Sequence, residues 1–280
     1  MKRNFFDIRS RRFAEDPGIV FPGWDRASES AVVLSPHDDD ALLGAGYMID
    51  ALLDMGVRVS VVVFCKGDAG YSDVALRTSV VERRKLETLN AYKKLGLDER
   101  DLIALNLPDF SLRRHVAWDG LGLENGLYGE MIRLFRRLKT TRLFIANGYR
   151  EHTDHTAVYE VGMFDGIQSA DAILADFGAP TNLRSVHAYS VWADFSPEDA
   201  LVSGRSADLR ANMGLAVDEG VESKIIGAVR CYASQSAIID GLVRMREAKR
   251  SEKGWIELYQ WLDPRPRLPY APYVDWVNNC

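Results

Sequence analysis

The chain has 280 residues, 47% hydrophobic and 27% charged, a globular composition long enough for one large α/β domain or one domain with an elaborated end. Its 35 Lys and Arg stand against 40 Asp and Glu, a mildly acidic balance that leaves no electrostatic footprint for nucleic acid or an anionic membrane and makes a small-molecule substrate the default. Cys65, Cys231 and Cys280 show no Cys-x-x-Cys spacing, which argues against a disulfide framework and a thiolate cluster and fits a reducing compartment.

Met1 to Asp7 carry charge early and never develop the apolar core of a secretory signal, and no run approaches the roughly 18 apolar residues of a spanning helix, so the expectation is a soluble, cytoplasmic protein with no membrane-spanning segment. Residues 1–30 are read as an N-terminal extension, 31–249 as the main domain, and 250–280 as a tail packed on it or extending from it. From Ala31 short β-branched runs alternate with longer helical patterns, the arrangement of βαβ units in a mostly parallel sheet covered on both faces. Strands are expected at 31–35, 58–65, 102–106 and 142–147, the second nearly continuous apolar in its latter half as a doubly buried strand requires. Leu42, Ala45, Ile49 and Leu52 recur at helical spacing, predicting a helix over 41–55 that ends near Gly56; further helices are expected at 79–95 and 124–139. Residues 107–123 and 170–184 read as loop excursions beside the sheet, 185–195 as a later strand, and 219–249 as a long helix or helix pair forming a C-terminal helical region.

Two polar clusters interrupt this pattern. Ser35-Pro36-His37-Asp38-Asp39-Asp40 follows the first strand, and Asn147-Gly148-Tyr149-Arg150-Glu151-His152-Thr153-Asp154-His155 follows the fourth. Both fall at the carboxyl edge of the sheet, where open α/β folds bind ligands. Taken singly, His37 reads as a hydrogen-bonded loop residue and the Asp run as a helix cap. Together they read differently. Carboxylates and imidazoles crowded in one place repel unless a cation or proton offsets them. Two imidazoles and a carboxylate commonly hold zinc: His37 and Asp40 can supply two ligands, His155 the third, with Asp39 left beside the site as a candidate general base.

At these residues the chain resembles the PIG-L or LmbE-like family of zinc-dependent deacetylases. Pro36-His37-Asp38-Asp39-Asp40 matches its Pro/Ala-His-x-Asp-Asp motif and His152-Thr153-Asp154-His155 its His-x-Asp-His motif. Lys66-Gly67-Asp68-Ala69-Gly70 resembles the Gly-Glu-x-Gly segment with Asp for Glu, Arg84-Lys85-Leu86-Glu87 the Arg-x-x-Glu helix, Leu107-Pro108-Asp109 the Leu-x-Pro-Asp loop, and Lys224 with Ser234-Gln235 the Lys…Ser-Gln pattern. The likeness covers residues 31 to about 240, so that 31–249 becomes the deacetylase domain. It implies a Rossmann-like α/β fold in a single domain and hydrolysis of an N-acyl group, usually acetyl, from an amino sugar such as N-acetylglucosamine or a conjugate of one. It also settles the register of the aspartates. His37, Asp40 and His155 become metal ligands for one Zn2+ per chain, or another divalent metal. Asp39 becomes the base, His152 the oxyanion partner, and Asp154 the carboxylate that fixes the His152 tautomer or orients His155. Arg84 and Asp109 become substrate-binding residues, and Trp118, Tyr149 and Trp192 candidate sugar-stacking walls. Ala41 and Asp38 depart from the usual motif, and Asp38 receives no role.

Three other readings compete: a metal-dependent nucleotide-sugar transferase that clamps a diphosphate with the Asp run, a dinucleotide-binding module suggested by Gly44-x-Gly46, and a non-catalytic sugar-binding relative. The first leaves His152 and His155 idle, and the second lacks a third glycine. Substrate identity, pathway and homo-oligomer formation are left open.

Overall fold

The computed structural model describes residues 2–118, 126–202, 204, 206–263, 265 and 267–280. The chain opens with β1 (Arg3–Asp7) and β2 (Arg12–Ala14), then runs through β3 (Ser30–Ser35), α1 (Asp40–Asp54), β4 (Arg58–Cys65), α2 (Val80–Leu95), β5 (Leu102–Leu107), α3 (Leu112–His115), α4 (Leu127–Leu138), β6 (Arg142–Ala146), α5 (Thr153–Ser169) and β7 (Ser185–Tyr189). The remainder comprises α6 (Pro197–Val202), β8 (Met213–Val217), α7 (Glu219–Val229), α8 (Ser236–Met245), β9 (Arg250–Ser251), β10 (Gly254–Leu262) and α9 (Ala271–Asn278). The four expected strands and the helices around them lie within a residue or three of their predicted bounds. The fold is a mixed, mostly parallel sheet flanked by helices.

Strand order across the sheet is β2-β1-β8-β10-β7-β6-β3-β4-β5, with β9 paired to β10. From β7 to β5 all neighbours are parallel, and from β2 to β10 all are antiparallel. Side chains on β3 alternate between two apolar layers: Ala31 and Val33 pack with α1, α2 and α7, whereas Val32 and Leu34 pack with α4 and α5. The strand is buried on both faces, which explains its unbroken apolar sequence.

Several expectations are corrected. The residues expected to lie outside the main domain contribute strands to the same sheet, β1 pairing with β8 and β10 lying between β8 and β7. Their apolar alternation is short and interrupted by charge, so periodicity is weak there. The predicted strand 185–195 ends at Tyr189 and continues as a loop. Helix α3 lies inside the predicted excursion 107–123, of which 119–123 fall outside the described residues, as do 124–125 of the predicted helix 124–139. The region 219–249 is a helix pair. Gly44 and Gly46 sit within α1, not in a phosphate loop: a Cβ at Gly44 would stand 2.4 Å from the Tyr189 ring and 2.7 Å from Ser190 O. That glycine permits close helix–sheet packing, and the dinucleotide reading loses its support.

Adjacent parallel strands set the site. The chain runs outward from β3 through β4 to β5, then returns to place β6 on the other side of β3. The carboxyl ends of β3 and β6 therefore flank the crevice where the strand order reverses, and the loops after them, which carry the two polar clusters, face each other there.

At the opposite end of β6, Arg142 is fully buried and donates to Glu29, Nη2 lying 2.6 Å from Oε1 and Nε 2.9 Å from Oε2. Glu29 also accepts from Thr141 Oγ1 and Arg184 Nη1, tying the segment before β3 to the starts of β6 and β7. Removing one member of such a pair leaves the other charge uncompensated. Glu29→Ala is expected to lower the unfolding free energy by about 3–5 kcal/mol, measured by urea denaturation.

Candidate metal centre and active site

Residues 36–39 turn sharply from β3 into α1. Ser35 Oγ donates to His37 O and accepts from Ala41 N at 3.0 Å, so a serine at the strand end caps the helix. Asp39 occupies the N-cap position without making a capping bond, which leaves its carboxylate free to face the cavity. Asp40 begins α1 and accepts from His37 N at 2.8 Å. The aspartate run is not simply a helix cap.

Among the described residues, three sets of side chains bring possible ligand atoms within 4.8 Å of one another: His37, Cys65 and Asp109; His37, His152 and Asp154; and His37, Asp40 and His155. Burial pushes the Cys65 thiol up to about 12, so it stays protonated. Both oxygens of Asp109 accept backbone amides, from Gly67 and Ala69 at 2.9 Å each. Asp154 accepts the amides of Phe110 at 2.7 Å and Leu112 at 3.1 Å, and His152 Nδ1 accepts Asp154 N at 3.2 Å. Each of the first two sets thus depends on a carboxylate with both oxygens taken by backbone amides. The third set differs. Asp40 Oδ2 lies 3.0 Å from both His37 Nδ1 and His155 Nε2, and the buried His155 Nε2, despite that approach, has no partner in hydrogen-bond geometry among the described residues.

Electrostatics agree with that arrangement. Burial alone would lower His155, but the Asp40 carboxylate and the Glu151 bond raise it to about 9. His37 is likewise raised well above its ordinary value against the effect of burial, by Asp40 and Asp154. Burial works to raise Asp40, and the two imidazoles nevertheless hold it well below the usual carboxylate range. The point between these three side chains favours positive charge. Their donor set, two imidazoles and a carboxylate, suits a divalent cation, and the orphaned His155 nitrogen fits one.

The centre opens into a cavity of about 450 Å3 lined by His37, Asp39, Asp40, Arg84, His152 and His155 on its polar side. Asp39 is raised to about 6, first by burial and then by Asp38 and Asp40, with Arg84 opposing. His152, pushed down by burial and by His37, is neutral; because its Nδ1 accepts an amide, its proton sits on Nε2.

The expected site residues meet here, though not all in the expected contacts. Asp154 does not touch His155; it is 3.5 Å from both His37 Nε2 and His152 Nδ1, and it is the Asp154 backbone amide that sets the His152 tautomer. Glu151 stands on His155 instead, Oε2 2.6 Å from Nδ1. Arg84 lines the cavity, but its guanidinium is committed to Asp38 through Nε and Nη2 and lies 3.5 Å from Asp39. Asp38 thus gains a place as the buried partner of Arg84 and Thr88. Asp109 reaches the cavity edge while holding the 67–69 loop, and Asp68 returns a bond to the Asp109 amide at 2.8 Å. Gly67 and Gly70 clear the path of Arg84: a Cβ at either would come within 2.7 Å of its side chain.

Of the three aromatic walls expected, Trp192 lines the cavity, 52% exposed. Trp118 stacks on Phe177, and Tyr149 lies under the Arg150 guanidinium. Phe110, Arg150, Glu151, Gln235 and Ile238 also line it, and of these the sequence reading singled out Gln235 alone, through the Ser-Gln pattern. Phe110 and Arg150 adopt left-handed backbone, φ 61° and 53°, which no sequence signal announces. Glu151 did carry a signal, a carboxylate one helical turn before a candidate ligand.

A family model described as PIG-L, GlcNAc-PI de-N-acetylase, matches residues 32–164. Among solved structures the chain is similar to N,N'-diacetylchitobiose deacetylase from Pyrococcus horikoshii, with TM-score 0.65, 17% identity and 88% of each chain covered. It is similar also to GalB, the 4-carboxy-2-hydroxymuconate hydratase from Pseudomonas putida KT2440, with TM-score 0.63, 18% identity and coverage of 87% of this chain and 100% of that one. The A40926 pseudoaglycone deacetylase Dbv21 gives TM-score 0.62, 18% identity and the same coverages. No curated protein sequence matches. At these identities the solved structures establish the shared fold, and no helix among the described residues is long and apolar enough to cross a membrane.

If the three side chains bind a cation only when folded, metal stabilises the native state by mass action. Zn2+ at a hundred times its Kd is expected to raise the unfolding free energy by about 2.7 kcal/mol, measured by denaturation with and without a chelator, and His155→Ala is expected to remove the increment.

Proposed function

Residues 32–164 are a PIG-L domain, and from that premise we propose that the chain is a zinc-dependent hydrolase that removes an N-acyl group, N-acetyl in the simplest case, from an amino sugar or its conjugate. The convergence of His37, Asp40 and His155 on one buried point, with Asp39 and His152 lining the cavity above it, carries this reading. It also weakens the alternatives: a diphosphate clamp needs the aspartates without the histidines, and a binding-only relative has no use for a carboxylate poised near neutrality.

When bound, zinc supplies a Lewis acid for the acyl carbonyl and lowers the pKa of water. The remaining work falls to the chain. Asp39 takes a proton from the attacking water; burial raises it to about 6, near the range in which a base can also return the proton. The water oxygen bonds to the acyl carbon, the C–N bond breaks, and Asp39 delivers its proton to the departing nitrogen, so that water and amide become carboxylic acid and amine. His152 carries its proton on Nε2 and is suited to donate it as a hydrogen bond to the oxyanion that develops on the carbonyl oxygen. Arg84 holds Asp38 and faces Asp39, keeping the two neighbouring carboxylates from repelling each other. Substrate contacts by Arg84 and Asp109 would have to be made with groups left over from these bonds, and the apolar rim of Phe110, Trp192 and Ile238 is the more available surface for a sugar face or its conjugate.

Hydration of a carbon–carbon double bond is the competing chemistry, favoured by the similarity to a hydratase. Amine release separates the two. A screen over N-acetylated sugars should detect free amine from the zinc-loaded protein, and Asp39→Asn should lower kcat by about 10²–10⁴ with metal content unchanged. An Asp39→Asn protein as active as the wild type, or no amine from any N-acyl sugar, would sink this assignment.

A further inference from the structure

We propose that Glu151 is a positioning residue that makes Nε2 the nitrogen of His155 presented to the metal centre beside Asp40 and ties that imidazole to the 190–193 loop of the cavity wall. The inference rests on the metal-centre reading above and adds a residue that the His-x-Asp-His motif does not contain.

A carboxylate can only accept hydrogen bonds. With Glu151 Oε2 2.6 Å from His155 Nδ1, Nδ1 keeps its proton, and Nε2, the atom 3.0 Å from Asp40 Oδ2, is the nitrogen whose proton a bound cation would replace. The reverse tautomer would place an N–H where the ligand lone pair is needed. The second oxygen, Oε1, accepts the successive amides of Val191 at 3.0 Å, Trp192 at 3.2 Å and Ala193 at 3.1 Å, and Ser190 Oγ, whose one proton is also within reach of Ala193 O, lies 3.0 Å away. Three consecutive amides turned inward form an anion-holding nest. Three amides on one oxygen hold the carboxylate against rotating away from His155, and the Glu151 side chain is fully buried. The same bonds anchor the backbone of Trp192, whose ring lines the cavity. One side chain therefore couples the orientation of a candidate ligand to the placement of the wall above it.

Glu151→Gln tests the tautomer with little change in shape. Its amide oxygen can still accept the loop amides, but its NH2 must face His155 Nδ1, which then has to accept, moving the imidazole proton to Nε2. Cobalt(II) serves as the probe. Relative to wild type, E151Q is expected to bind Co2+ about 10–100-fold more weakly and to give an altered visible absorption spectrum, because His155 leaves the coordination sphere. Ser190→Ala, which removes one loop donor and leaves the His155 bond, should retain both the affinity and the spectrum. E151Q with wild-type affinity, or with weaker binding at an unchanged spectrum, overturns the proposal, the second result assigning Glu151 a role through charge alone. A wild-type protein that binds no Co2+ overturns this inference and the metal-centre reading together, which distinguishes the two failures. Should E151Q not fold, 15N spectra of the zinc-loaded wild type decide: metal on His155 Nε2 with a protonated Nδ1 supports the assignment, and the reverse overturns it.

Discussion

Crowded negative charge at the carboxyl ends of β3 and β6 is the constraint around which this region is built. Two unit charges 4 Å apart interact by about 4 kcal/mol at the effective dielectric of a protein surface region, so several unneutralised carboxylates in one crevice would cost a large part of a domain's stability. The chain meets the constraint carboxylate by carboxylate. Asp38 lies against Arg84 and Thr88. Asp109 takes the amides of Gly67 and Ala69, Asp154 those of Phe110 and Leu112, and Glu151 those of residues 191–193. Asp40 is left between two imidazoles, and Asp39 faces the cavity with its proton affinity raised. The division of roles among neighbouring acids follows from which of them has been given fixed donors.

Those donors come from loops that the topology brings to one edge. Pairing of β3 with β4 and β6, and of β6 with β7, places the turns after all four strands side by side. Each turn supplies something different: the first the aspartates, the second the glycine-opened passage for Arg84, the third His152 and His155, and the fourth the nest around Glu151. The glycines at 67 and 70 are required because Arg84 crosses the loop to reach Asp38, and any side chain there would meet its guanidinium stem. A motif of small residues in the sequence is, in the fold, the space occupied by an arginine.

Much of this was legible from sequence because it depends on periodicity and on chemistry concentrated in short stretches. The parallel half of the sheet announces itself through doubly buried apolar strands, and the two histidine-bearing clusters through their position just past such strands. What was not legible depends on long-range closure. Strand β1 joins the sheet by antiparallel pairing with a strand more than two hundred residues away and β10 inserts antiparallel between β8 and β7, and their own alternation is too short to declare it. The partner of Asp38 is forty-six positions away. Asp154 looked like the partner of His155 by proximity in sequence, whereas the helical start at Thr153 turns its carboxylate toward the amides of the 110–112 segment and leaves His155 to Glu151. The left-handed conformations of Phe110 and Arg150 have no signature in residue type.

A fold shared with two deacetylases and a hydratase cannot by itself choose the reaction. Addition of water to a double bond and hydrolysis of an amide both need an activated water and a carboxylate to receive its proton. Hydrolysis makes two further demands: a donor for the oxyanion of a tetrahedral intermediate, and a proton returned to a leaving nitrogen. On the proposed reading, His152 meets the first with an Nε2 proton fixed by a backbone amide, and Asp39 meets the second because its burial among like charges keeps it exchangeable near neutrality. The first is set by a backbone amide two residues on and the second by burial and the adjacent Asp38 and Asp40, not by the identity of the two side chains alone. On that reading, the hydrolytic roles of the two side chains depend on the amide that holds His152 and on the Arg84–Asp38 pair that stands beside Asp39.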